Sequence, residues 1–145
     1  MHSVSEMVRS NPSAILADDA ELIRCLETCL ICAQACSACA DACIGDANLT
    51  RCARLGLDCA DLCEVTMRIA SRQKFAEPAL LVRMLQLCAA ACAMCAEACE
   101  RHANEHDHCR VCAEACRWCE RACRELGAKM PDGAGGVATV GPTRH

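Results

Sequence analysis

Aromatic side chains are almost missing from this sequence: Phe75 and Trp118 are the only two, and there is no tyrosine. Aromatics supply much of the buried area of an ordinary core, so smaller side chains must fill this one. Basic charge is never concentrated. Lysine and arginine total 15 against 19 acidic residues, a net charge of -4, with the signs interspersed. The lack of a basic stripe argues against nucleic acid as a partner. No apolar run approaches the roughly 18 residues of a membrane-spanning helix, so no membrane association is expected. Between Met1 and Leu22, the apolar Val4, Met7, Val8, Ile15 and Leu16 are broken up by Glu6, Arg9, Asn11, Asp18 and Asp19. That stretch has no apolar region of the kind an export signal needs. The expected location is the reducing cytoplasm, where thiols stay thiols.

What the chain has instead is cysteine, 18 in 145 residues. The first run is Cys25, Cys29, Cys32, Cys36, Cys39 and Cys43, in steps of four and three without an error. Such stepping draws one stripe down one face of a helix. The second run is Cys52, Cys59 and Cys63, with Leu55 and Gly56 in the gap. The third is Cys88, Cys92, Cys95 and Cys99, and its stepping continues to His102 and His106. The fourth is Cys109, Cys112, Cys116, Cys119 and Cys123.

Four striped helices joined by short connections predict an all-α fold, an antiparallel four-helix bundle with a cysteine-lined core. Asp18 or Asp19 is the expected cap of the first helix, Asn48 of the second and Asp107 of the fourth, and Pro78 suits the first turn of the third. Gly45 and Asp46 break the first pair, residues 71–77 join the second helix to the third, and residues 104–107 separate the last pair. One domain over residues 18–126 is expected, preceded by an extension over 1–17 that can form a short helix. Residues 127–145, rich in glycine and proline from Gly127 onward, read as a flexible tail. Charged residues such as Glu27, Asp61, Glu97 and Arg121 lie opposite the stripes as a solvated face, with Glu120 and Arg124 one turn apart.

A stripe repeating every 3.5 residues belongs at the centre of a left-handed bundle. Helices of roughly 25 residues are about 38 Å long, so the thiols line a narrow tube. One or two buried cysteines can be simple packing. Eighteen in register cannot, because each missing methylene gives up about 0.8 kcal/mol of burial, and something must compensate. Disulfide ladders fit poorly: helix axes stand about 8–10 Å apart, while bridged α-carbons come within about 7 Å.

Metal remains, and charge balance selects it. Four-thiolate zinc sites would use roughly four ions and leave about ten thiolate charges uncompensated in a dry core. Soft, monovalent Cu(I) approaches one ion per thiolate and neutralises the tube. Many Cu(I) ions per chain are therefore expected on the 18 cysteines, with a zinc or mixed-metal thiolate buffer as the alternative. Cys25, Cys29 and Cys32 also match the C-x3-C-x2-C spacing of iron–sulfur proteins. A straight helix, however, turns only two thiols per turn towards one point, so an iron–sulfur electron carrier is a weaker alternative. No catalytic residues are expected and no enzyme activity is required.

The stripes also give the tube a direction. Leu22, Leu81, Leu85, Thr66, Ile69 or Ala70, and Leu126 extend them at one end as an apolar plug. At the other end stand Cys43, Asp46, Asn48, Cys52, His102, His106, His108 and Cys109. Metal entry is expected there, with His102 and His106 as exchangeable nitrogen ligands ahead of the thiolates. Met67, Met84 and Met94 read as gap fillers.

The C-A-x-x-C repeats at Cys32–Cys36, Cys39–Cys43, Cys95–Cys99 and Cys112–Cys116 resemble those of the bacterial copper storage proteins over about residues 20–126. The absent export signal and the high cysteine count are similar to the cytosolic type. The resemblance implies a four-helix bundle assembled into a homotetramer, with many Cu(I) ions per subunit held as a reserve or for detoxification, and entry from one open end. It names no copper donor or acceptor.

Overall fold

The computed structural model describes residues 1–13 and 19–131. A short helix α1 (Val4–Ser10) precedes four long ones: α2 (Asp19–Ala42), α3 (Thr50–Ser71), α4 (Pro78–Glu100) and α5 (Asp107–Lys129), with a single 3-10 turn at Ala47–Leu49. Each long helix packs against the next, and α5 closes back onto α2. The result is an up-down-up-down four-helix bundle, about 36 Å long along α2.

The connections follow from local chemistry. Gly45 turns the chain out of α2 with φ of 90°, a conformation that costs glycine nothing. The Asp46 side chain then accepts from the Asn48 N–H at 2.9 Å. Asn48 is therefore bonded by a cap and does not itself cap α3, whose N-cap is Leu49. Leu49 holds that position by burial alone, at 1% exposure. Pro78 occupies the first turn of α4, where its missing N–H is no loss. His106 is the N-cap of α5 and Asp107 its first helical residue. The Asp107 carboxylate sits one position inside the expected cap, where it still favours the helix N-terminus, and it accepts from Arg110 at 2.7 Å.

At the far end α5 runs through Gly127 to Lys129, past the expected boundary at 126, and Met130 is buried beyond it. Gly127 continues the helix because Leu85 of α4 packs beside it, a tertiary contact outweighing its weak propensity. The expected cap Asp18, part of the extension (14–17) and the tail from 132 lie outside the described residues. Within the extension, Ser3 and Glu6 form a capping box that starts α1, and Val8 is buried where α1 meets α2.

No aromatic residue enters the core: Phe75 and Trp118 are 92% and 56% exposed. Cysteine and alanine fill the middle, while Leu22, Leu81, Leu85, Leu126 and Met130 close one end with Thr66 and Ala70. Cysteine counts as apolar, so Ala20–Ala42 and Pro78–Glu100 reach mean hydropathies of 1.4 and 1.9 and are long and apolar enough to cross a membrane. The sequence expectation that no such stretch exists is corrected on that point. In the bundle the two helices turn their cysteine stripes inward. Across the outside, Arg117 ties Glu100 of α4 to α5 at 2.6 Å, and Lys129 reaches Glu21 of α2 at 2.8 Å. Exposed pairs of this kind contribute at most about 1 kcal/mol each.

Candidate metal centre

All 18 cysteines are buried and none is in a disulfide. Their arrangement follows from the heptad stepping, which turns every stripe towards the bundle axis. In the lower and middle tube the sulfurs touch. Cys25 stands 4.0 Å from Cys123, Cys29 3.6 Å from Cys119, Cys59 3.6 Å from Cys92, and Cys63 3.8 Å from Cys88. Cys36 lies 3.4 Å from Cys116 and 3.7 Å from Cys112, with Cys95 3.9 Å from both Cys36 and Cys112. Cys32 joins the two halves, 3.7 Å from both Cys36 and Cys116 and 3.9 Å from both Cys59 and Cys92. With Cys119 4.0 Å from Cys123 and Cys63 3.9 Å from Cys119 and 3.8 Å from Cys92, these contacts link Cys25, Cys29, Cys32, Cys36, Cys59, Cys63, Cys88, Cys92, Cys95, Cys112, Cys116, Cys119 and Cys123 into one continuous inner row.

The row contains overlapping tetrads whose sulfurs lie within 4.8 Å of one another: Cys29, Cys63, Cys88 and Cys119; Cys32, Cys36, Cys59 and Cys116; Cys32, Cys59, Cys63 and Cys92; and Cys36, Cys95, Cys112 and Cys116. The overlap matters chemically. Cys32, Cys36, Cys59, Cys63 and Cys116 each belong to two tetrads, so closed four-thiolate sites cannot all be filled at once. Thiolates shared between ions are the arrangement this geometry favours. Soft thiolate ligands suit Cu(I), zinc and iron–sulfur clusters, and sharing at near one ion per sulfur is open to the monovalent ion alone among these.

Cys39, Cys43, Cys52, Cys99 and Cys109 form the remaining group, at the end opposite the leucine plug. Here the imidazole enters. His108 Nδ1 lies 3.3 Å from Cys39 Sγ and 3.6 Å from Cys109 Sγ, and His108 completes a tetrad with Cys39, Cys43 and Cys109. His102 and His106, singled out from the sequence, are half-buried in the turn after α4. The helix ends at Glu100, so neither imidazole lies on the continued stripe. His106 does stand beside His108, with ring centroids 5.4 Å apart. The Cys52 thiol donates to the Ala98 carbonyl of α4 at 3.4 Å.

Even this end is closed to bulk water. Cys43 and Cys52 are each 2% exposed, and Leu49 covers the same region. Burial pushes Cys52 up to about 11 and Cys43 up to about 12, so both are neutral thiols at pH 7. Cys109 is raised for the same reason. In the inner row a thiolate is stabilised by S–H donors and its donors are held protonated. Cys25 is thus pulled down by Cys123 and Cys29, while Cys29 is pushed up by Cys119 and Cys123. Metal uptake must displace these protons.

Sequence reasoning missed His108 as the imidazole in contact with thiols. Its signal was available: it lies four residues before Cys112, as Cys109 lies three before, and both spacings face the same side of α5. It also missed Leu49, the one large apolar residue of the turn between Gly45 and Thr50.

Comparison with known proteins adds an independent line. The model of a family described as copper storage protein matches residues 18–128. Among solved structures, the copper storage protein of Streptomyces lividans loaded with 10 copper equivalents is 47% identical, with a TM-score of 0.86, over 88% of this chain and 100% of that one. A second structure from Streptomyces lividans, a cytosolic copper storage protein with five coppers, is 52% identical with a TM-score of 0.72 over 74% and 92% of the two chains. Apo copper storage protein 3 of Bacillus subtilis is 34% identical, with a TM-score of 0.62 over 70% and 94%. Among curated proteins none matches.

Proposed function

The chain belongs to the copper storage protein family, and on that footing we propose that it stores many Cu(I) ions on the thiolates lining its bundle, in the cytosol. One observation carries the choice of ion: the tetrads of the inner row share members. Shared thiolates suit a monovalent ion at a ratio approaching one per sulfur, which also neutralises the tube. Zinc would require closed tetrahedral sites, and the overlap sets such sites in competition. The ligand set is Cys25, Cys29, Cys32, Cys36, Cys39, Cys43, Cys52, Cys59, Cys63, Cys88, Cys92, Cys95, Cys99, Cys109, Cys112, Cys116, Cys119 and Cys123. Storage then consists of exchanging thiol protons for Cu(I) and keeping the ion away from water and oxidants. No residue is assigned a catalytic role.

Copper enters at the histidine end. His108 hands it to Cys39 and Cys109, which its ring nitrogen already touches, and His106 and His102 offer weaker nitrogen ligands farther out. The opposite end is sealed by Leu22, Leu85 and Leu126, each at most 1% exposed. The chain assembles as a homotetramer. Supporting this, Leu80, Leu87 and Met94 recur every seven residues on the outer face of α4, each more than half exposed, an apolar strip that a second copy would cover. Sedimentation velocity on the metal-free protein tests the assembly.

Titration of the reduced protein with Cu(I) against a high-affinity chelator tests storage. Uptake of more than ten ions per chain without loss of helical circular dichroism is expected, and zinc present in excess should not lower it. Saturation at one or two ions would overturn the reading. Replacing His102, His106 and His108 singly by alanine should slow uptake while leaving final capacity nearly unchanged.

A further inference from the structure

Cys39, Cys43, His108 and Cys109 differ from the four inner-row tetrads in two respects: they include a nitrogen, and they share no member with those tetrads. They come from two segments that meet at the histidine end. Cys39 lies in the last turn of α2 and Cys43 just beyond it, while His108 and Cys109 lie in the first turn of α5. The four donor atoms lie within 4.8 Å of one another, with His108 Nδ1 3.3 Å from Cys39 Sγ and 3.6 Å from Cys109 Sγ. Zinc bonds of about 2.3 Å to sulfur and about 2.0 Å to nitrogen set a tetrahedral S···N edge of about 3.5 Å. Those two edges are therefore already close to the required length.

Three thiolates and one imidazole are the ligand set of a structural zinc site, which needs no water to complete it. Charge also favours zinc here over the inner row. Zn2+ on this set leaves one negative charge, whereas on four thiolates it leaves two, in a dry interior where uncompensated charge is costly. Cys109 carries part of that charge in the first turn of α5, where a helix N-terminus stabilises an anion. We propose that Cys39, Cys43, His108 and Cys109 form a site for one Zn2+ ion, which clasps the end of α2 to the start of α5 and stands in the path of incoming Cu(I). Zinc binding releases three thiol protons to water and transfers no electron. Cu(I), which thiolates select for its softness, then displaces Zn2+ by ligand exchange. Only this second role rests on the storage reading: zinc delays filling without lowering the number of copper ions finally held.

The test uses the reduced, metal-free, full-length chain. Zn2+ is partitioned between the protein and 4-(2-pyridylazo)resorcinol, and one equivalent of Co2+ reports the ligand set through its visible bands. One zinc ion per chain should bind ahead of any other, and Co2+ should show a tetrahedral site of sulfur and nitrogen donors. His108→Ala and Cys43→Ser should each weaken the first zinc ion about a hundredfold or more, because even a group outside the metal's own ligands is worth about 10–100-fold. The two variants alter different helix ends, so the test stands if one folds poorly. Cys29→Ser, in the inner row, should change that affinity by no more than about twofold, as befits a distant site. Cu(I) is then delivered as its bicinchoninate complex in stopped flow. One zinc equivalent should slow uptake several-fold in the wild-type chain and not in His108→Ala, with the final copper count unchanged. A chain that takes no zinc from the chelator, a first ion held equally by His108→Ala and Cys43→Ser, or one lost in Cys29→Ser overturns the site. Equal copper uptake with and without zinc overturns the gate. A zinc-free chain that binds only one or two copper ions overturns instead the storage reading, and leaves the zinc site standing.

Discussion

Replacing Gly56 with alanine sets two opposing effects against each other at one position. Alanine in a helix interior is favoured over glycine by about 1 kcal/mol, so by propensity alone the variant should be more stable. The structure argues otherwise. The added methyl would meet the Cys36 carbonyl oxygen at 3.1 Å, and a carbonyl inside α2 cannot retract without displacing the helix. Overpacking of this kind costs about 1–3 kcal/mol. The expected net effect is a loss of about 1 kcal/mol, a fall in melting temperature of roughly 3–6 °C for a bundle of this size. Thermal unfolding of the reduced, metal-free protein followed by circular dichroism measures it. The Cys32–Cys59 contact of 3.9 Å spans the same α2–α3 seam, so Cu(I) affinity should fall with stability. A variant more stable by about 1 kcal/mol would show that the two helices are not in close contact at Gly56.

Three further expectations follow from buried or bridging groups. Thr66 Oγ1 is buried with no hydrogen-bond partner among the described residues, so Thr66→Val should stabilise the metal-free protein by about 1 kcal/mol in urea unfolding; destabilisation would mean the hydroxyl has a partner. Cys52 is raised from 9.0 to about 11, so the folded state holds its proton more tightly than the unfolded chain does. Its contribution is complete below pH 9 and is lost as pH rises towards 11, roughly 3 kcal/mol in all; unfolding of Cys52→Ala should show a correspondingly weaker decline over that range. Arg117 bridges Glu100 at 2.6 Å and Glu120 at 2.9 Å, but all three are at least partly exposed. Arg117→Ala should therefore cost no more than about 1 kcal/mol, and the difference should vanish in 1 M salt.

The fold was legible because the cysteine steps encode it. Positions 25 to 43 and 109 to 123 fix a face by arithmetic, and antiparallel packing of four such faces leaves one place for the thiols. The same arithmetic misled after Cys99. His102 and His106 extend the count, but α4 ends at Glu100, and the residues from Arg101 to Glu105 include neither glycine nor proline to mark the stop. Helix ends of this sort are set by where the next helix must begin, which is a tertiary fact. At Gly127 the error ran the other way: a weak helix former was carried through because Leu85 packs beside it. Gly56 was visible only as a gap. That it is a point of backbone contact, with Cys36 as the counterpart, depends on the distance between two helices and could not be read along one of them.

The continuous row of sulfurs makes the bundle a modular device whose length is its capacity. Inserting seven residues into each helix would add a further layer of thiols and return every stripe to the axis, leaving the leucine seal and the histidine end as they are. Inserting one residue would rotate all that follows by about 100° and bury charged side chains in place of sulfur. Variation in store size among bundles built this way should thus arrive in whole heptads, matched across all four helices, because any other increment destroys the tube it enlarges.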